Sequence, residues 1–510
     1  MTQDPKTLPR LCERTAAQLR GGVVRPALDR RKLGAGQVHL GVGAFFKAHL
    51  APYTQQAIER AGGGWGVIGV SLRRPDARDE LAPQDHLFTV TETDAAGPRT
   101  TLIGVLKDML VAPENPGAVV DALADPAVKI VTLTITEKGY CLDPASGALD
   151  ENHPDIRRDL AHPEAPRTAA GLIAAALKKR LAARAPLAVL SCDNLSSNGA
   201  RLRASVRRFA ELWDPALARA VDDITAFPNT MVDRITPATT PADLDKIAER
   251  IGLRDEAAVV AEPFTQWVIE DRFMAARPAW EEAGALIVDD VAPYELAKLR
   301  LLNGAHSTIA YLGQLAGYDH VADVMAEPAF ASFIAAMQTE EIAPTLRPVE
   351  GLAYETYIDA LLERFRNPAL RHRTAQIAMD GSQKLPPRLL ETARAQLERG
   401  GPIERIALAI AAWIECLRGV DRRGAPIEIN DPLADRLMRL SAEAGDDPEE
   451  RAAAFLRFRE VFGADLADSG RFRAALARGL AALRADGVIA AVKRINAGSP
   501  AQDSTGGVTA

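Results

Sequence analysis

Cysteine is scarce in this sequence, long apolar runs are missing, and there is no excess of positive charge. The four cysteines, Cys12, Cys141, Cys192 and Cys416, lie far apart and form no CxxC pair. That spacing argues against a structural zinc site and for a reduced, cytoplasmic chain. No apolar stretch approaches the ~20 residues a membrane span needs. Residues 1–20 are polar and charged where a secretory signal would be apolar. Neither membrane insertion nor secretion is expected. A net charge of −7 makes a general nucleic-acid binder a poor reading, while leaving room for a local basic pocket. No internal repeat is visible.

The 510 residues are 47% hydrophobic and 25% charged, an ordinary soluble composition with room for two domains or more. In the first part of the chain, short apolar runs alternate with helical stretches such as residues 168–185. The runs are Val38 to Val42, Trp65 to Leu72, Val128 to Thr136, Leu187 to Ser191 and Ala285 to Val288. Such alternation predicts an α/β domain with a mostly parallel sheet covered by helices. Beyond about residue 290 the chain turns to Ala/Leu/Arg/Glu-rich helical segments: 293–313, 328–339, 354–365, 403–418 and 471–495. The expected organisation is an α/β domain over 1–290, a mainly α-helical domain over 291–497, and a Gly/Ser/Thr-rich disordered tail over 498–510.

Three kinds of polar group interrupt this pattern. Gly41-Val42-Gly43-Ala44-Phe45-Phe46 follows the first predicted strand and precedes a predicted helix over 48–60. Two glycines at this spacing let a backbone approach a pyrophosphate at a helix N-terminus. Phe46 stands where the third glycine of the Rossmann-type fingerprint would be. Asp76, 35 residues after Gly41, is the candidate for the ribose hydroxyls. The neighbouring Arg73 and Arg74 would suit a 2′-phosphate, so the pattern admits NADP as well as NAD. Polar clusters also follow later strands: Thr134 to Tyr140, Ser191 to Asn194, and Phe227 to Arg234. In open α/β sheets such strand ends line the site.

The third group is the run Tyr294 to Ser307, where Lys298, Asn303 and His306 interrupt an apolar helix former. On an ideal α-helix Asn303 falls about 140° and His306 about 80° around from Lys298. An amine, an amide and an imidazole on one wall can take a proton from an alcohol and hold the oxyanion. A buried helix with a snorkelling lysine would show the same residues.

Taken together these motifs resemble the long-chain, metal-independent mannitol dehydrogenase family. The resemblance rests on Gly41-Val42-Gly43-Ala44-Phe45, Thr134 to Tyr140, Ser191 to Asn194, Phe227-Pro228-Asn229, Met231 to Ile235, Glu262-Pro263-Phe264 with Gln266-Trp267-Val268, and the spacing of Lys298, Asn303 and His306. It runs in consistent order over roughly residues 36–490. It implies a Rossmann-type domain followed by a helical domain, with the active site between them. It implies that Lys298 is the general base and that Asn194 and Asn303 hold the oxyanion. It further implies that His306 orients the substrate, that Asp233 and Lys384 line its pocket, and that Glu137 lies on the path by which the lysine exchanges its proton. Gly41, Gly43, Phe45 and Asp76 are the implied NAD-binding residues, and no metal is implied.

Within the family, the segment Leu370 to Pro386 looks like the bacterial fructuronate reductases, also called D-mannonate oxidoreductases. Gln376 stands where the mannitol enzymes carry an arginine, and Lys138 where they tend to carry glycine. A hexuronate has a carboxylate that a hexitol lacks, and a guanidinium can hold it with two parallel hydrogen bonds. Arg371 and Arg373 are the expected clamp, with Lys384 and Lys138 as further cations. The competing reading puts both arginines on a solvated face or pairs them with Glu363 or Asp380. The expected partner is therefore a small sugar acid or polyol, acted on by a monomer or small homo-oligomer. Mannitol 2-dehydrogenase or another polyol dehydrogenase, such as one for arabinitol, is the alternative within the class. A non-catalytic nucleotide sensor and a helical scaffold are the alternatives outside it.

Overall fold

The computed structural model describes residues 4–94, 96–143 and 146–498. The chain divides into two compact units, Met1–Ala292 and Pro293–Ala510. The tail expected over 498–510 lies, from residue 499 onward, outside the described residues. No helix among the described residues is long and apolar enough to cross a membrane.

Six strands of the first unit form one parallel sheet: β1 (Gln37–Leu40), β2 (Val67–Ser71), β3 (Leu106–Val111), β4 (Ile130–Leu133), β5 (Leu187–Ser191) and β6 (Thr225–Ala226). Their order is β3-β2-β1-β4-β5-β6, the doubly wound order of dinucleotide-binding folds. β1 is central and buried along its whole length, as expected of a parallel strand covered on both faces. Alternate side chains feed two cores. Val38, Leu40, Val131 and Leu133 meet the helices Ala169–Ala183 and Asn198–Trp213 on one face. Ile130, Ala188 and Leu190 join Phe46, Tyr53, Trp267 and Trp280 on the other.

Several elements differ from the sequence reading. The first strand stops at Leu40 rather than Val42, because Gly41 leaves the β region with φ of +94°. Residues are helical from Ala44, through a π-helical stretch Phe46–Leu50, into helix Ala51–Ala61. Leu106–Val111 belongs to the parallel sheet although its alternating pattern is weak, and Leu286–Val288 belongs to a separate sheet. That smaller sheet also holds Thr230–Asp233 and Gln266–Glu270. A four-stranded sheet, including the hairpin Phe88–Asp94 and Gly97–Ile103, was not anticipated. The expected helix over 471–495 breaks at Gly487, whose φ is +78°.

The second unit is built of helices around Glu404–Cys416, which is buried all round from Ile406 to Cys416. Helices Ala305–Ala316 and Gly470–Asp486 pack on it. Gly479 permits the second approach, since a Cβ there would lie 3.1 Å from that of Ala411.

A buried guanidinium fastens the parallel sheet to its helices. Arg180 is fully buried and donates to five carbonyls, those of Leu123, Asp125, Val128, Ala185 and Pro186, at 2.8–3.0 Å. Removing it strands acceptors that water cannot reach. Arg180→Leu is expected to cost about 3–5 kcal/mol in urea unfolding. A loss under about 1 kcal/mol would show that the carbonyls find other donors.

Candidate active site

In the first unit the loops after β1, β2 and β4 border a cleft of about 590 Å³. Gly41–Ala44, Ser71–Arg74, Asp76 and Thr134–Thr136 line it, together with Lys47 and Glu80. The cleft opens at the C-terminal ends of the strands, where β1 and β4 lead their connections to opposite sides. The two glycines do different work. A Cβ on Gly41 would lie 2.3 Å from the Thr134 carbonyl oxygen, so Gly41 lets the two strand ends close together. A Cβ on Gly43 would meet only Gly41 O, at 3.9 Å, and would stand in open space at the start of the helix. That opening, beside free helix N–H groups, fits a pyrophosphate.

Asp76 is the first residue of helix Asp76–Leu81 and forms an ion pair with Arg74 at 3.0 Å. Phe45 stacks on His49 at 4.8 Å. Lys47 is buried and donates to Ala257 O at 2.8 Å, and burial lowers its pKa. Glu80 is held above the usual carboxylate range by desolvation, which Lys47 opposes. Sequence reasoning passed over both. The one available signal for Lys47 was its place in the first turns after the glycine loop.

Below the cleft, His39 on β1 is enclosed. Its Nε2 lies 3.2 Å from Gly41 O and its Nδ1 2.8 Å from Thr132 Oγ1. A carbonyl only accepts, so Nε2 carries the proton and Nδ1 accepts from the threonine. Burial pushes its pKa down to about 3.

The other strand-end clusters are ordered around Asp193. Its carboxylate accepts from the backbone N–H groups of Ile135 and Thr136 and from the Tyr140 hydroxyl, at 2.6–2.9 Å. Asn194, the next residue, is exposed, as are Glu137 and Lys138. Asp233 is buried on Thr230–Asp233, opposite Gln266. Its neighbour Arg234 ties Glu262 O at 2.7 Å and Glu92 Oε1 at 2.6 Å, a structural role within the same motif.

In the second unit the angular estimate for the lysine segment needs correction. Residues Lys298–Gly304 are π-helical, between helices Ala292–Ala297 and Ala305–Ala316. Hydrogen bonding from i to i+5 makes residues five apart near neighbours on one side. Lys298 and Asn303 are five apart, so the π turn reduces the offset an α-helix would impose. His306 follows one α-turn later and is buried. Desolvation holds its pKa well below 6.5, reinforced by the charges of His372, Arg364, Arg388 and Lys298. His306 therefore stays neutral at neutral pH. Its ring lies 4.8 Å from Phe365 and 5.2 Å from His372.

Lys384 lies 3.8 Å from Asp380 and 3.4 Å from Ile377 O. Arg371 and Arg373 are exposed, and His372 between them turns toward His306. Neither arginine pairs with Glu363 or Asp380, which face Arg366 and Lys384. Arg364, Arg388 and His372 were missed in the sequence. Arg388 stands four residues after Lys384, a helical spacing that could have exposed it.

Against known proteins, residues 35–282 match the mannitol dehydrogenase Rossmann domain and residues 290–484 the mannitol dehydrogenase C-terminal domain. The chain is 43% identical to the D-mannonate oxidoreductase of Escherichia coli over 456 residues, covering 88% of this chain and 93% of that one. It is 39% identical to Pseudomonas fluorescens mannitol 2-dehydrogenase, solved as a ternary complex with NAD and D-mannitol. That match has a TM-score of 0.80 and covers 96% of this chain and 100% of that one. A substrate-free D-sorbitol dehydrogenase gives a TM-score of 0.90 at 35% identity, with 95% and 100% covered. The chain belongs to the mannitol dehydrogenase family of oxidoreductases.

The glycine geometry separates two variants. Gly41→Ala is expected to destabilise the chain by roughly 2–4 kcal/mol, through positive φ and the Thr134 clash. Gly43→Ala should leave stability within about 1 kcal/mol yet weaken dinucleotide binding about tenfold in fluorescence titration. Equal binding by Gly43→Ala and wild type would remove the cradle.

His39 yields a pH prediction. Below about pH 6.5 the unfolded imidazole takes a proton that the folded one refuses. Stability should therefore fall by ~1.4 kcal/mol per pH unit from this group as pH drops toward 3, and His39→Gln should lack that component. Identical pH slopes for the two proteins would refute it.

Proposed function

We propose that this protein is an NAD(H)-dependent oxidoreductase that interconverts D-fructuronate and D-mannonate, with Lys298 as its general acid and base. The observation that carries the reading is the π turn, which sets Lys298 and Asn303 on one side of a helix whose next turn holds a neutral imidazole. In the direction of alcohol oxidation, neutral Lys298 takes the hydroxyl proton as hydride departs. The amide of Asn303 donates to the developing alkoxide. His306, being neutral, can orient a hydroxyl by donating from one nitrogen or accepting at the other. Reduction runs the same steps in reverse, beginning from protonated Lys298.

A bound nicotinamide would supply the hydride acceptor. Gly41 and Gly43 would hold its pyrophosphate and Asp76 an adenosine ribose. The Arg74–Asp76 pair supports NAD: Asp76 engages one of the two arginines that would suit a 2′-phosphate, and its exposed carboxylate would repel that phosphate.

Support for a hexuronate comes from likeness to the Escherichia coli D-mannonate oxidoreductase and from Gln376 and Lys138. A hexitol or another polyol is the second reading, favoured by the likeness to the mannitol and sorbitol enzymes. Following NADH oxidation with fructuronate and fructose side by side separates them. Turnover confined to fructose would overturn the hexuronate reading. For the mechanism, Lys298→Ala should lower kcat by about 10²–10⁴-fold with NADH binding nearly intact. An undiminished kcat would sink the lysine's role.

A further inference from the structure

The surroundings of His306 are unusual in sign. The charged neighbours that act most strongly on it, His372, Arg364, Arg388 and Lys298, are all bases. Buried positive charge is normally paired. Elsewhere in this unit Arg451 meets Glu415 at 2.9 Å and Arg405 meets Glu340 at 2.7 Å, while Arg300 donates to the Thr345 hydroxyl at 3.1 Å. Arg388 has no carboxylate pair either. Its Nη1 donates to Ser307 Oγ at 3.1 Å and lies 3.5 Å from Asn303 O. Among the described residues no carboxylate pairs with it. Its Nε and Nη2 have no partner there either, and they are not sealed from solvent. Near the same imidazole, His372 keeps a buried Nδ1 without a hydrogen-bond partner.

The geometry of the guanidinium gives these vacancies a meaning. Nε and Nη2 form one edge of the fork, and two parallel donors on an edge match the two oxygens of a carboxylate. Nη1, the nitrogen outside that edge, is the one the protein occupies. Gly304 brings the backbone of Arg388 close, since a Cβ there would lie 3.0 Å from Arg388 O. Arg388 itself sits on a second π-helical stretch, Pro386–Leu390, packed against Lys298–Gly304. The guanidinium is thereby anchored to the turn that carries Asn303. Arg371 and Arg373, in contrast, project into solvent on either side of the inward-turned His372.

We infer that the Nε–Nη2 edge of Arg388 receives the carboxylate of the substrate, and that Arg371 and Arg373 do not. The inference rests on the hexuronate reading above. It makes Arg388 a specificity residue: it discriminates acid from polyol, while the proton transfer belongs to Lys298.

The test is steady-state kinetics of Arg388→Gln, Arg388→Lys, Arg371→Met and Arg373→Met on fructuronate and on fructose, with melting temperature as the check on folding. Arg388→Gln should raise the KM for fructuronate about 10²-fold and lower kcat/KM for fructuronate at least about tenfold more than kcat/KM for fructose. Arg388→Lys keeps the charge but loses the fork, so it should fall between wild type and Arg388→Gln. It also decides the question if the glutamine variant fails to fold. The two methionine variants should resemble wild type. Equal losses on both substrates would overturn the inference and make Arg388 a prop for the Asn303 turn. A raised fructuronate KM in Arg371→Met or Arg373→Met, with Arg388→Lys unchanged, would overturn it in favour of the exposed pair. Wild-type preference for fructose would fail the hexuronate reading itself, and that result is visible before any variant is made.

Discussion

Where β1 ends, Gly41 lies against the backbone of Thr134, and the arrangement of the first unit depends on that contact. With any side chain in place, the two strand ends would be forced apart by the oxygen 2.3 Å away. Because they close, β1 and β4 can deliver their loops to one cleft from adjacent positions in the sheet. The His39 imidazole lies just below, bridging Gly41 O and Thr132 within the same strands. The turn, the cleft and the buried imidazole are thus one packing problem with a single solution.

The second unit solves a different problem by a local change of helix. One extra residue in a turn costs some hydrogen-bond geometry. What it achieves is alignment: a lysine and an amide five residues apart come to one side without any loop. A helix is a stiffer support than a loop, which suits the transition-state role proposed for these groups. The neighbouring π stretch at Pro386–Leu390, met through Gly304, shows that the irregularity is shared by two packed segments.

Buried arginines recur in both units and act in distinct ways. Arg180 spends its donors on five carbonyls and serves the fold. Arg234 divides its donors between backbone carbonyls and Glu92. Arg388 leaves an edge unused. All three are the same residue type in the sequence; the count of satisfied donors distinguishes them.

Much was legible in the residues alone. Apolar runs bounded by glycine and polar residues define most of the parallel strands, because strands buried on both faces must be apolar throughout. The spacing of Gly41 and Gly43 predicts the turn that borders the cleft, and Lys298, Asn303 and His306 stand out as the proposed catalytic group because polar side chains are costly in an apolar run. Tertiary structure alone decided the rest. The hairpin Phe88–Asp94 and Gly97–Ile103 carries β-branched residues that favour strands, but its pairing into a separate sheet shows only in the fold. The π turn spans only Lys298–Gly304, too short a stretch to show a period in the sequence. The exposure of Arg371 and Arg373 and the open edge of Arg388 follow from which way each side chain points, and direction is a property of the folded surroundings rather than of residue identity.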